Sequence, residues 1–431
     1  MMRVPALMLI WGAFAGVASA AEPFDFSMAS SRRVDVVMIG DSNQVLGGHG
    51  WDEGYAAVLA ERYGEFATGV FSVGENKQSG AGAGYKANAV ATTGMRNART
   101  EGAPERLCRW LSAEGEYHFA NYLEVYKSRL TVLPGPGMDI QRGSVLDHDS
   151  RLRFWYSYGT YPSGNGSFTP SIRSDEDPFG VYLRGDRIST RGEWGVHLGT
   201  LDLEASTPGG RSGALGFFFF NNAEPLVAPA LFYYVRAEDL DRPTGTSVST
   251  LYYGGGRSAR DMAHTLQIMK DDTIGLFFEH ILRANRRGSI VVRMNSGLND
   301  REETEPSVGP ARVAQGNSAA AYADNMVAMI RRIQEYAEKN HLDASQLHFV
   351  ISTSHPISTP NDPKLTSYEQ AALGVPAMVP GASVRVVILS SLITADEMSA
   401  AGYYNTSEDH AHLTRDGYVE LSRREIDTLT N

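Results

Sequence analysis

The sequence predicts an α/β protein whose parallel sheet and flanking helices are interrupted by a separate β-rich segment. Three observations predict it. Strand and helix patterns alternate from about residue 34 to 75, and the same rhythm returns after Pro243-Thr244-Gly245. Between them, from about 100 to 246, short aromatic or β-branched runs are separated by Gly, Pro, Ser and Asn clusters, with few helical patterns. Alternating strands and helices build parallel βαβ units with right-handed crossovers, whereas closely spaced short strands build antiparallel sandwiches.

Taken in chain order, the first segment has the pattern of a secretory signal peptide over residues 1–21. Arg3 supplies the positive start, an apolar stretch runs from Pro5 to Val17, and Ala18-Ser19-Ala20 gives the small-x-small cleavage pattern. A mature chain would start near Glu22, and the expected location is secreted or periplasmic. The first part of the α/β domain is expected over 22–99. There Val34-Asp35-Val36-Val37-Met38-Ile39 reads as a buried strand, and Tyr55, Val58 and Leu59 mark a helix after it. Ser79 to Gly84, rich in Gly and Ala, reads as a loop.

An inserted β-sandwich, jelly-roll-like, is expected over 100–246. Its strand candidates include Leu152–Tyr156, Gly180–Leu183, Gly195–Gly199, Gly213–Phe220 and Leu231–Val235. The second part of the α/β domain, 247–431, opens with the strand Thr250–Tyr253 and the glycines Gly254-Gly255-Gly256. A helix from Ser258, a buried strand at Ser289–Met294, and a long amphipathic helix from Ala320 to Lys339 follow. Two more strands, Leu347–Ser352 and Val384–Leu389, precede a final helix starting near Thr414.

Bulk properties narrow the function classes. The composition, 42% hydrophobic and 21% charged, is that of an ordinary globular protein. A net charge of −11 with no basic patch argues against a nucleic-acid partner. After the leader, no stretch is long and apolar enough to span a bilayer, so no stable membrane insertion is expected once the leader is cleaved. Cys108 is the single cysteine, so stability rests on the core rather than on an intramolecular disulfide, and Cys108 itself reads as a small buried hydrophobe.

Four segments carry chemistry. Ser42, in Gly40-Asp41-Ser42-Asn43, follows the first strand and sits where open α/β sheets place their ligands. A serine that attacks an acyl group needs a base, a group that orients the base, and donors for the oxyanion. In Asp409-His410-Ala411-His412 the three-residue spacing lets Asp409 hold one ring nitrogen of His412 while the other faces the serine; His410 is the second candidate base. A metal held by Asp409, His410 and His412 is the competing use of this segment, but no further ligand cluster supports it, and neither metal nor other cofactor is expected. Gly297-Leu298-Asn299-Asp300 follows the strand at 289–294, and the Asn299 amide can donate to an oxyanion. Gly256, or its neighbour Gly255, can present a backbone N–H.

These blocks together resemble the SGNH hydrolases, also called the GDSL esterase superfamily. Gly40-Asp41-Ser42 matches the first block, Gly256 the loosely defined second, Gly297-Leu298-Asn299-Asp300 the third, and Asp409-His410-Ala411-His412 the last. The resemblance covers about 34–75 and 247–431 and leaves out 100–246, where compact members of the family have no separate domain. It implies a flavodoxin-like three-layer α/β/α fold, Ser42 as nucleophile, His412 as base then acid, and Asp409 as its orienting partner. It also implies an oxyanion hole made by Asn299, Gly256 and the Ser42 backbone N–H. Asp41 and Asp300 are expected to organise their loops rather than to react.

The expected substrate is an ester outside the cytoplasm, with O-acetyl groups on a carbohydrate favoured. An acetyltransferase using the same triad and a non-catalytic carbohydrate-binding protein are the alternatives. The aromatics of the insertion, among them Phe154, Trp155, Tyr156, Tyr158, Tyr161, Trp194, Phe232, Tyr233 and Tyr234, suit sugar faces but suit a sandwich core better. His49, Trp51 and His355 are expected either to line the site or to support its loops.

Overall fold

Of the six residues Val34–Ile39 only Asp35 is polar, and all six are buried. A strand can be apolar at successive positions only where both of its faces are covered. The computed structural model of the chain shows that cover. It describes residues 24–41, 43, 50–72, 230–254, 258–268, 271–283, 285, 288–301, 318–340, 343–357, 362–406 and 411–430. In the insertion it describes 85–86, 95–97, 109–111, 117–119, 123–125, 129–134, 150–160, 162, 167–174, 181–193, 195–204 and 215–221.

The central sheet has five strands: β1 (Arg33–Asp41), β2 (Gly245–Gly254), β3 (Ser289–Asn295), β4 (Leu347–Ser352) and β5 (Ser383–Val387). They lie in the order β2-β1-β3-β4-β5, every pair parallel, which is the strand order of flavodoxin-like doubly wound sheets. The helices are α1 (Trp51–Tyr63), α2 (Ala259–Ile268), α3 (Asp271–Leu282), the single turn α4 (Leu298–Arg301), α5 (Ala319–Lys339), α6 (Pro363–Met378), α7 (Ala395–Ala400) and α8 (Arg415–Thr430).

Successive side chains of the strands feed two cores. Val37, Ile39, Val292, Met294, Phe349 and Ile351 pack with α2, α3, α5 and α6 through Met262, Phe277, Met326 and Tyr368. Val36, Met38, Val291, Val350 and Val387 pack with α1, α7 and α8 through Tyr55, Met398 and Leu421. The sheet is therefore the middle layer of three. Phe24 and Phe26, close after the expected cleavage site, are fully buried in the second core.

The insertion forms two antiparallel sheets. One runs 181–184, 167–174, 215–221, 129–134, 85–86, with 188–189 paired to 167–174. The other runs 195–203, 152–160, 230–239, 123–125, 95–97, with 71–72 paired to 230–239. They meet where Tyr156 and Tyr158 of one sheet pack on Phe168 of the other, ring centroids 6.1 and 5.0 Å apart. Phe154, Trp155 and Tyr156 are buried, so these aromatics fill the interior rather than offer faces to sugar.

Antiparallel pairing with these sheets already includes residues before 100. Phe71–Ser72, Tyr85–Lys86 and Met95–Asn97 pair with strands of the insertion. These strands are two or three residues long, too short to show an alternation of their own. At the far end the core sheet resumes at Gly245. Gly245 has φ +113°, and a Cβ there would stand 2.7 Å from the Gly64 carbonyl oxygen, so the tight turn into β2 requires glycine.

The two parts are joined by buried charge. Arg236, on the strand 230–239, donates to Asp35 of β1 at 2.7 Å, with both side chains inaccessible. Asp35 also accepts from the Asn285 amide at 2.8 Å and from the Ser247 hydroxyl. Arg236 donates further to the His280 carbonyl at 3.1 Å.

Candidate active site

Gly40 of β1 stands in register with Asn295 of β3, so both strands end at one level of the sheet. β2 lies on one side of β1 and β3 on the other, which makes this edge the topological switch point where doubly wound sheets open a crevice. Both motif segments begin there. Asp41 ends β1 and is 1% exposed. It accepts from the Asn43 backbone N–H at 2.9 Å, from the Asn43 side-chain amide at 3.1 Å, and from Asn299 Nδ2 at 2.9 Å. Burial raises its pKa, while these donors and nearby His412 pull it back down.

The loop after β3 turns at Gly297, whose φ of +123° favours glycine, and leads at once into α4. Asp300 closes this turn by accepting from the Gly297 N–H at 3.1 Å. The same carboxyl accepts from the Ala259 N–H at 3.0 Å, at the start of α2. It thus ties the Asn299 turn to the chain that emerges from the Gly254-Gly255-Gly256 segment. Asp300 is pushed up to about 7, first by burial and further by the carboxylates of Asp41 and Asp261; the two N–H donors oppose the rise. Asp41 and Asp300 organise loops, as expected for them.

His412 is half-buried on the approach to α8. Its carbonyl accepts from the Asn405 N–H at 2.9 Å, and the next residue, Leu413, bridges to Tyr404. Thr414 caps α8, its hydroxyl accepting from the Gly417 N–H at 3.3 Å. Asn299 and Asp41 thus share one end of the sheet, and the Leu413 N–H beside His412 reaches the same end through the Tyr418 hydroxyl and Asn43, segments far apart in sequence. Ser42, Gly255, Gly256, Asp409, His410 and His49 lie outside the described residues. Their flanks, Asp41 and Asn43, Ser258, and Ala411 and His412, lie inside.

Trp51 supports the site from the interior, whereas His355 packs toward Trp51 and also lines a cavity. Trp51 is fully buried, 4.5 Å from the Arg293 guanidinium and edge-on to Tyr418 at 5.5 Å. His355 is 2% exposed and faces Trp51 at 6.5 Å. Behind them Arg293 of β3 donates to Glu425 of α8 at 3.0 and 2.8 Å, holding α8 and its loop to the sheet.

Two features escape sequence reasoning. Tyr418 Oη donates to Asn43 Oδ1 at 2.7 Å, linking α8 to the residue after Ser42. A cavity of about 380 Å³ opens beyond β4 and β5, lined by Ser354, His355, Asp362, Glu369, Thr394 and Asp396 among others. Neither has a sequence signal, because both arise where segments distant in the chain come together. Among the described residues no group of three or more His, Cys, Asp or Glu is arranged to hold a metal ion, and no helix is long and apolar enough to cross a membrane.

No protein-family model matches the sequence, and no curated protein matches it at a significant level. Several solved structures align over much of the chain. A family two carbohydrate esterase from Cellvibrio japonicus aligns at 10% identity and TM-score 0.28, covering 85% of this chain and 100% of that one. An acetyl xylan esterase from the rumen bacterium Butyrivibrio proteoclasticus aligns at 10% identity and TM-score 0.26, over 80% and 98%. A family 2 carbohydrate esterase with a carbohydrate-binding domain, from Corynascus thermopiles (Myceliophthora fergusii), aligns at 14% and 0.27, over 65% and 92%. TM-scores this low do not establish a shared fold.

Proposed function

We propose that the chain is an exported serine esterase of the SGNH hydrolase type, carrying an inserted β-sandwich of jelly-roll kind, and that it removes O-acetyl groups from a carbohydrate. The observation that carries this reading is the meeting of three motif segments at one sheet edge. Asn299 donates to Asp41, the residue before Ser42, and the Tyr418 hydroxyl, which accepts from the Leu413 N–H next to His412, donates to Asn43, the residue after Ser42. The cavity beyond β4 and β5, bounded by Ser354 and His355 on the same edge of the sheet, gives room for the alcohol part of an ester.

In this reaction Ser42 Oγ attacks the ester carbonyl carbon while His412 takes its proton. The oxyanion that forms is met by Asn299 and by the backbone N–H groups of Ser42 and Gly256, each worth about 3 kcal/mol of barrier. The C–O bond to the sugar then breaks, and the imidazolium returns the proton to the departing alkoxide. Water, deprotonated by His412, hydrolyses the acyl-enzyme and releases acetate. Asp409 keeps the His412 ring in the useful tautomer and stabilises its cation.

The test is acetate release from a set of acetylated polysaccharides by wild type, Ser42→Ala and His412→Ala. Release by wild type that falls about a thousandfold or more in both variants is the expected result. Equal release by wild type and Ser42→Ala would remove the serine mechanism. Transfer of acetyl to an added sugar faster than release to water would make the protein a transferase.

A further inference from the structure

We propose that Tyr418 and Asn43 are positioning residues that hold the oxyanion donor Asn299 in register with the base loop, acting through the Asp41 carboxylate. The inference rests on the esterase reading above and deepens it.

The hydrogen bonds form a directed chain. The Leu413 N–H, one residue past His412, faces Tyr418 Oη at 3.4 Å. Tyr418 Oη donates its proton to Asn43 Oδ1 at 2.7 Å. With its oxygen committed to Tyr418, the Asn43 amide turns its nitrogen to Asp41 Oδ1 at 3.1 Å. The opposite orientation would set the amide oxygen against the Asp41 carboxylate, two acceptors with no hydrogen between them. Asp41 Oδ2 then takes one hydrogen of Asn299 Nδ2 at 2.9 Å. A planar amide has two such hydrogens. With one held by Asp41, the direction of the other, the one proposed to meet the oxyanion, is set.

Burial gives the chain its stiffness. Asp41, Asn43 and Tyr418 are 1%, 2% and 1% exposed. At such sites an unmade hydrogen bond is not replaced by bulk water, so the arrangement has few alternatives. The Tyr418 ring is held separately, edge-on to Trp51 at 5.5 Å, so its hydroxyl can be removed while the packing stays. Tyr418 belongs to α8, whose first residues follow the His412 loop. Asn43 follows the nucleophile. The chain therefore joins the residue after the base, the residues on either side of the nucleophile, and the oxyanion donor.

The experiment is a double-mutant cycle on p-nitrophenyl acetate with wild type, Tyr418→Phe, Asn299→Ala and the double variant, each checked for folding by circular dichroism. Tyr418→Phe is expected to lower kcat by about 10- to 100-fold with KM within about twofold, because the contact it aligns is made in the transition state. In the Asn299→Ala background the same substitution is expected to change kcat less than about threefold, since nothing remains to be aligned. Asn43→Ala, run through the same cycle, serves if Tyr418→Phe fails to fold. A kcat for Tyr418→Phe within about twofold of wild type, or effects that multiply in full with Asn299→Ala, would overturn the inference. Ser42→Ala separates the two claims. If it hydrolyses as wild type does, the esterase reading falls and takes the inference with it. If it is dead while Tyr418→Phe is normal, the inference alone falls.

Discussion

Asp300 carries no reacting atom in the proposed chemistry, yet it sets the local order of the site. Its carboxyl joins the Gly297 turn to the start of α2. Burial and two neighbouring carboxylates push it up to about 7, against an ordinary value of 3.8. The sign of the consequence follows from proton counting. Between about pH 4 and 7 the native chain keeps a proton that the unfolded chain has released, so this group's contribution to stability falls as the pH rises, by about 1 kcal/mol per pH unit. Asp300→Asn has nothing to titrate. Urea unfolding across that range is expected to show the wild-type free energy losing ground to the variant as pH rises; parallel curves would contradict the assignment. At this scale the motif residues were legible because their chemistry depends on local spacing: Gly-x-Asn-Asp for Asn299 and Asp300, Asp-x-x-His for His412. Tyr418 and Asn43 were not. A tyrosine on a helix and an asparagine in a turn are common, and their bond exists only once β1 and α8 are packed together.

Among the elements, α1 and α8 carry the flanks of the site and lie on one face of the sheet. Arg293 of β3 fixes them, sandwiched by Trp51 and Tyr55 of α1 and paired with Glu425 of α8, and both charges of the pair are fully buried. Removing one charge strands the other in the interior. Glu425→Gln is expected to cost about 3–5 kcal/mol in chemical denaturation, and a loss under about 1 kcal/mol would mean that water reaches Arg293. β1, β3 and β4 were legible as runs buried on both faces, and α5 as a clear apolar stripe. α6 gives no such signal: it contains Pro376 and exposes Leu373 and Met378, leaving only Tyr368, Ala372 and Val375 buried. α3 is absent from the sequence-based expectation although Ile274, Phe277, Phe278 and Ile281 have helical spacing. The strands at 71–97 are hidden for another reason. They hold to the insertion by backbone pairing with partners far along the chain, which no local pattern encodes.

The whole molecule is a parallel sheet whose second strand arrives only after a long antiparallel excursion. Parallel topology was legible from the alternation of strands and helices, and the switch point follows from the strand order. The joint was not legible. Asp35 breaks the otherwise apolar run Val34–Ile39 of β1, and its partner Arg236 belongs to the strand 230–239, so the reason for the break lies some two hundred residues away. This buried pair ties the strand 230–239 directly to β1 of the central sheet. The claim that depends on the entire arrangement is that Ser42 is the nucleophile. The measurement that tests it most directly is peptide mapping after reaction with a fluorophosphonate, which forms a stable bond only with an activated serine. One adduct per chain is expected, on the peptide containing Ser42, abolished by His412→Ala. An unmodified wild-type chain, or an adduct on another residue, would contradict it.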